Sequence, residues 1–316
     1  MARIAFLFPG QGSQSVGMGR AWAETHPIAR STFDEADAAL GFELSRLCWE
    51  GPAEELQLTA NTQPAILACS IAMLRALRAA GLPSAHALAG HSLGEYSALV
   101  ASGALDFADA LRLVRRRGEL MQEAVPVGEG AMAAILGLDR PAVEQVVARA
   151  DAAGEGKVVA ANFNAPEQTV VAGHVAAVER AVAAAKEAGA KMAKKLPVSA
   201  PFHSPLMAPA RDGLAPHLES TSFGDPEPAV VSNVDAAPVA RGAEARDALA
   251  RQVDGAVRWV ESIERLVAEG VEIFVEIGPG VVLTGLGRRI TRDARHLKSP
   301  AADEVKSFLS SLSDAS

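Results

Sequence analysis

Ala85-His86-Ala87-Leu88-Ala89-Gly90-His91-Ser92-Leu93-Gly94-Glu95-Tyr96-Ser97-Ala98-Leu99-Val100 changes character twice. Residues 85–89 form a short apolar run of the kind carried by a strand buried on both faces, and 95–100 resume a helical pattern. The five residues between them fit the Gly-x-Ser-x-Gly elbow, in the strand-before, helix-after context that the motif requires. So sharp a turn leaves little room for side chains at its two glycines. It lifts Ser92 toward the helix N-terminus, where unpaired backbone N–H groups can stabilise negative charge on an acyl oxygen. A plain glycine turn with an exposed serine fits the same letters, so the elbow alone leaves both readings open.

Before the elbow, the run Arg3–Phe8 is apolar from Ile4 onward and closes on Pro9-Gly10, which predicts another buried strand. Ile66, Leu67, Ile71, Leu74 and Leu77 recur at helical spacing and predict a helix over 62–80, stopped at Gly81. After the elbow, Asp106 is an N-cap candidate for a helix running to about residue 123. Between 127 and 199 the rhythm changes: 131–137, 157–162, 169–173 and 191–198 are strand-like, while 140–152 and 175–188 are helical. That βαββαβ order is the split pattern of a ferredoxin-like unit. Parallel-type strands return at 229–231 and 271–277, so a subdomain at 127–199 interrupts a larger α/β domain made of 1–126 and 200–316. The polar stretch 299–316 is expected to be weakly ordered.

Composition narrows the function classes. The 316 residues are 49% hydrophobic, and 30 Lys and Arg against 38 Asp and Glu leave a net charge of −8 with neutral histidines. Disorder as the main state is excluded, and the acidity argues against nucleic-acid binding, whose affinity rests on neutralising phosphates. No apolar run reaches the roughly 18 residues of a membrane span, and 4–8 is too short for a signal-peptide core. The expected location is therefore cytoplasmic. Cys48 and Cys69 sit in apolar surroundings without Cys-x-x-Cys spacing and read as buried free thiols. No metal site is expected.

A serine nucleophile needs a base, and the chain offers seven histidines. His91 adjoins Ser92 across a tight turn and should aim elsewhere, in a supporting role. His203 sits in Ser199-Ala200-Pro201-Phe202-His203-Ser204-Pro205, whose prolines predict a rigid irregular loop suited to mounting a base. His26, His174, His217 and His296 read as surface or helix-end residues. No carboxylate is marked as the base's partner, so a backbone carbonyl or an amide can serve. In Arg115-Arg116-Arg117 at least one side chain should face inward. It makes either a structural ion pair or a bidentate fork on a substrate carboxylate, a contact of roughly 1.5–3 kcal/mol. Gly10-Gln11-Gly12 follows a strand, but Ser15 stands where a dinucleotide fingerprint needs glycine. These glycines suit a loop whose backbone approaches a ligand.

Together the pieces resemble the malonyl-CoA:acyl carrier protein transacylase family and its relatives in polyketide synthases. The resemblance spans most of the chain. It rests on Phe8-Pro9-Gly10-Gln11-Gly12-Ser13-Gln14, on 90–99, on Arg117-Gly118 with Met121-Gln122, and on 199–204. Further markers are Ser232-Asn233-Val234-Asp235, Gln252 with Val257-Arg258-Trp259, and Glu276-Ile277-Gly278-Pro279-Gly280. Ala256 stands where the family often has proline. The resemblance implies a hydrolase-like α/β domain with a parallel sheet plus an inserted ferredoxin-like subdomain, with the active site between them. It implies Ser92 as nucleophile, His203 as base, and the N–H groups of Gln11 and Leu93 as oxyanion hole. Arg117 would hold the malonyl carboxylate, and Gln252 would help position His203; His91 and Phe202 are placed with them around the substrate. The implied reaction passes malonyl from malonyl-CoA to Ser92 and then to the phosphopantetheine thiol of acyl carrier protein, without a resident cofactor. Phe202 should crowd a branched acyl group and favour malonyl over methylmalonyl. Lys191, Lys194 and Lys195, or Arg288 and Arg289, could dock an acidic carrier protein. A serine thioesterase or esterase, a polyketide acyltransferase of other acyl specificity, and a non-catalytic carrier-binding module are the alternatives. A monomer is the default oligomeric state.

Overall fold

The computed structural model describes residues 2–198 and 200–313, so Ser199 of the histidine loop and the end of the 299–316 stretch lie outside the described residues. Its strands are β1 (Ile4–Phe8), β2 (Ala87–Gly90), β3 (Gly130–Leu136), β4 (Val158–Ala165), β5 (Gln168–His174), β6 (Met192–Lys195), β7 (Val230–Val231), β8 (Pro238–Val239), β9 (Ile273–Glu276) and β10 (Arg295–Leu297). They form a six-stranded sheet, β10-β9-β1-β2-β7-β8, and a four-stranded sheet, β4-β5-β3-β6.

The large sheet is parallel from β10 through β7, and β8 turns back antiparallel. All five residues of β1 are buried. Because strand side chains alternate, Ile4, Phe6 and Phe8 enter a core with Leu67, Ile71 and Leu74 of the helix Thr59–Ala79. Ala5 and Leu7 enter an opposite core with Trp259, Ile263 and Leu286. Both faces are covered, as a parallel sheet requires. The resemblance's hydrolase-like α/β architecture is thus what the chain adopts.

The small sheet is antiparallel throughout and carries the ferredoxin-like strand order. The helices Arg140–Ala152 and Val175–Glu187 pack on one face through Val143, Val146, Val178 and Ala181, against Ala133, Ile135 and Val171. The alternate residues Met132, Val170 and Ala172 join the large core instead. The small sheet is also tied through the backbone to the segment that leads into the helix Trp259–Ala268, because Val257 N donates to Ala161 O (2.9 Å) and Phe163 N donates to Val257 O (2.9 Å).

Two expectations are corrected. The described part of 299–316 includes a helix, Val305–Ser313, with Val305 and Leu312 buried; Val305, Phe308, Leu309 and Leu312 recur at helical spacing, a stripe that the surrounding serines conceal. His296 is not a surface residue. It is buried on β10, its ring stacked on Phe274 with centroids 5.0 Å apart. Cys48 and Cys69 are buried free thiols.

Candidate active site

The first turns after β1, β2 and β9 all leave the carboxyl edge of the parallel sheet, where α/β folds gather their ligands. The elbow follows β2. A Cβ on Gly90 would lie 1.9 Å from the Gly94 backbone, and one on Gly94 would lie 2.0 Å from Phe8 O, so both glycines are required by the tightness of the turn. Gly10 is equally confined, but by protein: its Cβ would come 2.3 Å from His91 O. Gly12 instead serves a left-handed turn with φ 102° and nothing within 4 Å. The close approach expected at Gly10 is therefore to the elbow's own backbone.

Ser92 is held at φ 51° and His203 at φ 58°, left-handed conformations that cost a non-glycine residue about 1–3 kcal/mol and persist where surroundings enforce them. The enforcement at Ser92 is visible. Its N–H donates to Asn233 Oδ1 (2.6 Å), Asn233 Nδ2 donates to Gly90 O (2.7 Å), and Gln252 Nε2 donates to Ser92 O (2.9 Å). At His203, Ser204 Oγ donates to Pro201 O (2.6 Å) and Met207 N donates to Ser204 O (2.9 Å), pinning the proline loop.

Ser92 Oγ lies 2.7 Å from His203 Nε2. On its other side, the imidazole faces two backbone carbonyls, Gln252 O (2.9 Å from Nδ1) and Gly255 O (3.1 Å). Carbonyls only accept, so Nδ1 carries the hydrogen and Nε2 is left to accept from the serine hydroxyl. Burial, with Arg117 adding, pushes His203 down to about 3, which keeps the ring neutral and its Nε2 lone pair facing the serine hydroxyl. His91 points away: its Nε2 meets Asn164 Oδ1 of β4 (2.8 Å), its ring edge meets Trp259 (5.5 Å), and burial holds it below the usual imidazole range.

Of the three arginines, Arg115 and Arg116 both pair with Glu119, whereas Arg117 is buried. Arg117 Nη1 donates to Gln63 Oε1 (2.8 Å), and Nη2 donates to Gln252 Oε1 (2.9 Å) and reaches Ser92 Oγ at 3.3 Å. Its Nε has no partner, and among the described residues no carboxylate lies within ion-pair distance of it. The buried Glu95 reaches it only through the Gln252 amide, which meets Arg117 with its oxygen and Glu95 with its nitrogen. The N–H groups of Gln11 and Leu93 donate to no acceptor among the described residues. Phe202 is buried in the core shared by Met121 and Met132. No group of three or more His, Cys, Asp or Glu among the described residues could hold a metal ion.

The sequence reading assigns no role to Asn233, Glu95, Gln63 or Asn164. Asn233 and Glu95 lie inside quoted motifs, yet neither carries a spacing signal. At the surface, Lys191 pairs with Glu167 (3.0 Å) and Lys195 with Glu179 (2.8 Å). Arg289 donates to Gln168, and Arg288 donates to His296 O (3.2 Å).

The model for the acyl transferase domain family matches residues 5–306. The malonyl CoA-acyl carrier protein transacylase of Escherichia coli strain K12 is 52% identical over 305 residues, covering 96% of this chain and 98% of the relative. A structure described as FabD from Acinetobacter baumannii superposes with a TM-score of 0.96 at 43% identity, covering all of both chains. Another, described as a type II polyketide synthase acyl carrier protein in complex with its malonyl-transacylase, gives 0.95 at 45% identity, covering 98% of this chain and all of that one.

Proposed function

Because the chain belongs to the acyl transferase domain family, we propose that it carries malonyl groups from malonyl-CoA to the phosphopantetheine thiol of an acyl carrier protein through an ester on Ser92. The enzyme is an acyl carrier protein S-malonyltransferase, and it serves fatty acid or polyketide synthesis. His203 Nε2 takes the hydroxyl proton as Ser92 Oγ attacks the thioester carbonyl. The carbonyl oxygen becomes an oxyanion held by the N–H groups of Gln11 and Leu93, each such donor being worth about 2.7–4 kcal/mol in the transition state. Collapse breaks the C–S bond, and the departing thiolate of CoA takes the proton back from His203. The second half runs the same steps in reverse with the carrier's thiol. No resident cofactor enters; CoA is part of the substrate.

One observation supports the acyl specificity above the rest: the buried Arg117 guanidinium, 3.3 Å from Ser92 Oγ, has no carboxylate within ion-pair distance among the described residues, Glu95 being held off by the Gln252 amide. The free carboxylate of a malonyl group on Ser92 fits that vacancy in charge and reach. Gln252 holds His203 through its backbone and meets Arg117 through its side chain, Phe202 limits bulk at the acyl α-carbon, and His91 supports the elbow from behind through Asn164 and Trp259. Intact-mass measurement after mixing with malonyl-CoA or acetyl-CoA tests the reading. Wild type should gain a malonyl adduct, Ser92→Ala neither adduct, and Arg117→Ala should lose malonyl loading while keeping or gaining acetyl loading. Absence of any adduct on wild type would end the proposal, and equal loss of both acyl groups in Arg117→Ala would remove Arg117 from it.

Further parts belong to the same proposal. Residues 127–199 are one unit inserted between 1–126 and 200–316. The site is assembled from one chain, which supports a monomer, and its setting is cytoplasmic, with no nucleic-acid partner. No helix among the described residues is long and apolar enough to cross a membrane. The carrier docks over the groove between the helices Val282–Ile290 and Val305–Ser313, edged by Arg288 and Lys298.

A further inference from the structure

Glu95 is buried in the first turn of the helix Gly94–Ala101, in contact with neither the nucleophile's hydroxyl nor the base's ring. A carboxylate in such a place is costly unless its hydrogen bonds are useful to the fold or the site. Glu95 Oε2 accepts from Gln252 Nε2 (2.8 Å) and from Asn233 N (3.0 Å), groups far away in sequence.

The Gln252 amide lies between Glu95 and Arg117, and that placement removes its ambiguity. A guanidinium only donates and the Ser92 carbonyl only accepts. The NH2 must therefore face Glu95 and the oxygen must face Arg117. In this orientation the second hydrogen of Nε2 reaches Ser92 O (2.9 Å), and Oε1 accepts from Arg117 Nη2 (2.9 Å). The flipped amide would set oxygen against both Glu95 and Ser92 O, and NH2 against the guanidinium. The same carboxylate oxygen fixes the backbone of Asn233, whose side chain clamps the elbow at Ser92 N and Gly90 O.

We propose that Glu95 is a positioning residue for malonyl transfer, locking the Gln252 amide and the Asn233 loop so that Ser92, His203 and Arg117 share one register. This rests on the transfer reading given above. A double-mutant cycle tests it, using Glu95→Met, which keeps the volume, Gln252→Ala, and the pair. Rates of Ser92 loading are counted per esterifiable Ser92, so that misfolded protein drops out. Glu95→Met should slow malonyl loading roughly 10- to 100-fold, the scale of a slight misplacement. It should slow acetyl loading too, but less, because misplacing Ser92 affects both acyl groups whereas misplacing Arg117 affects malonyl alone. Adding it to Gln252→Ala should cost little more, since both remove the same lock. Glu95→Gln, which keeps an acceptor oxygen, should recover most of the rate. Multiplicative losses, or equal slowing of malonyl and acetyl loading, would overturn the role of Glu95. If wild type itself forms no malonyl ester at Ser92, the transfer reading falls instead.

Discussion

In the proposed transfer a neutral imidazole is the state that lets Ser92 lose its proton, and the surroundings favour that state twice. Burial comes first, then the charge of Arg117, and together they bring His203 down to about 3. Protonation would remove the base, so the loss of activity that belongs to His203 should come only as pH drops through that value. It should not come in the ordinary imidazole range near 6.5. Glu95 moves the other way, pushed by burial up to about 7 despite the hydrogen bonds from Gln252 and Asn233. From pH 5 to 8, log kcat/KM for loading should therefore show no limb belonging to His203. Any limb near 7 should belong to Glu95 and vanish in Glu95→Gln. A limb near 6.5 that survives Glu95→Gln would show that His203 titrates like a solvent-exposed ring and that its burial has been misread.

The elbow is built by exclusion. Gly94 faces Phe8 O, and a methyl group there would sit 2.0 Å from a backbone atom that cannot swing aside. Gly94→Ala should cost more than the 1–3 kcal/mol typical of overpacking and abolish Ser92 loading. Gly285, inside the helix Val282–Ile290 with nothing within 4 Å of its would-be Cβ, is the control: Gly285→Ala should stabilise by about 0.5–1 kcal/mol. Thermal melts of the two variants check both signs, and a Gly94→Ala protein that melts and loads like wild type would refute the steric account. Such local constraints are what a sequence displays. The strand-elbow-helix run, the Asp106 cap that accepts from Ala108 N and Asp109 N, and the alternating rhythm of the small sheet are all written in neighbouring residues. The partners of Ser92 are not. Asn233 meets it across 141 positions and Gln252 meets Glu95 across 157, distances over which no periodicity runs. Arg117 stands between these cases: the triple arginine implies that one side chain turns inward, but only the fold shows that it finds no carboxylate there. The helices Pro27–Leu40 and Leu44–Glu50 leave weaker marks, since their short apolar stripes are broken by a glycine turn at Gly41.

At the scale of the whole molecule, charge separates the two docking faces considered from sequence. The chain is net −8, and an acidic carrier must therefore find a local exception. Lys191 and Lys195 are spent in ion pairs with Glu167 and Glu179. Arg288, Arg292, Arg295 and Lys298, by contrast, make no ion pair with a carboxylate among the described residues. Arg288 and Lys298, against the single carboxylate Glu304, edge a groove whose lip is Val281, 54% exposed in a protein that buries most of its large apolar side chains. The groove opens at the turn after β9, on the carboxyl edge that also carries the elbow. With strands about 4.8 Å apart, β9 and β2 lie about 10 Å apart across the sheet, so an extended phosphopantetheine arm entering beside β9 would run toward the elbow after β2. Reversing charge in Arg288→Glu with Lys298→Glu should slow transfer from Ser92 to the carrier by about tenfold or more, and should slow loading from malonyl-CoA much less. The same pair should flatten the salt dependence of carrier transfer, because exposed charges act over a Debye length of about 10 Å at 0.1 M salt. Lys194→Glu, on the other face, should change neither half-reaction appreciably. If Lys194→Glu slows carrier transfer and the double reversal does not, the carrier docks beside the small sheet, and the unpaired cations of the C-terminal groove serve something else.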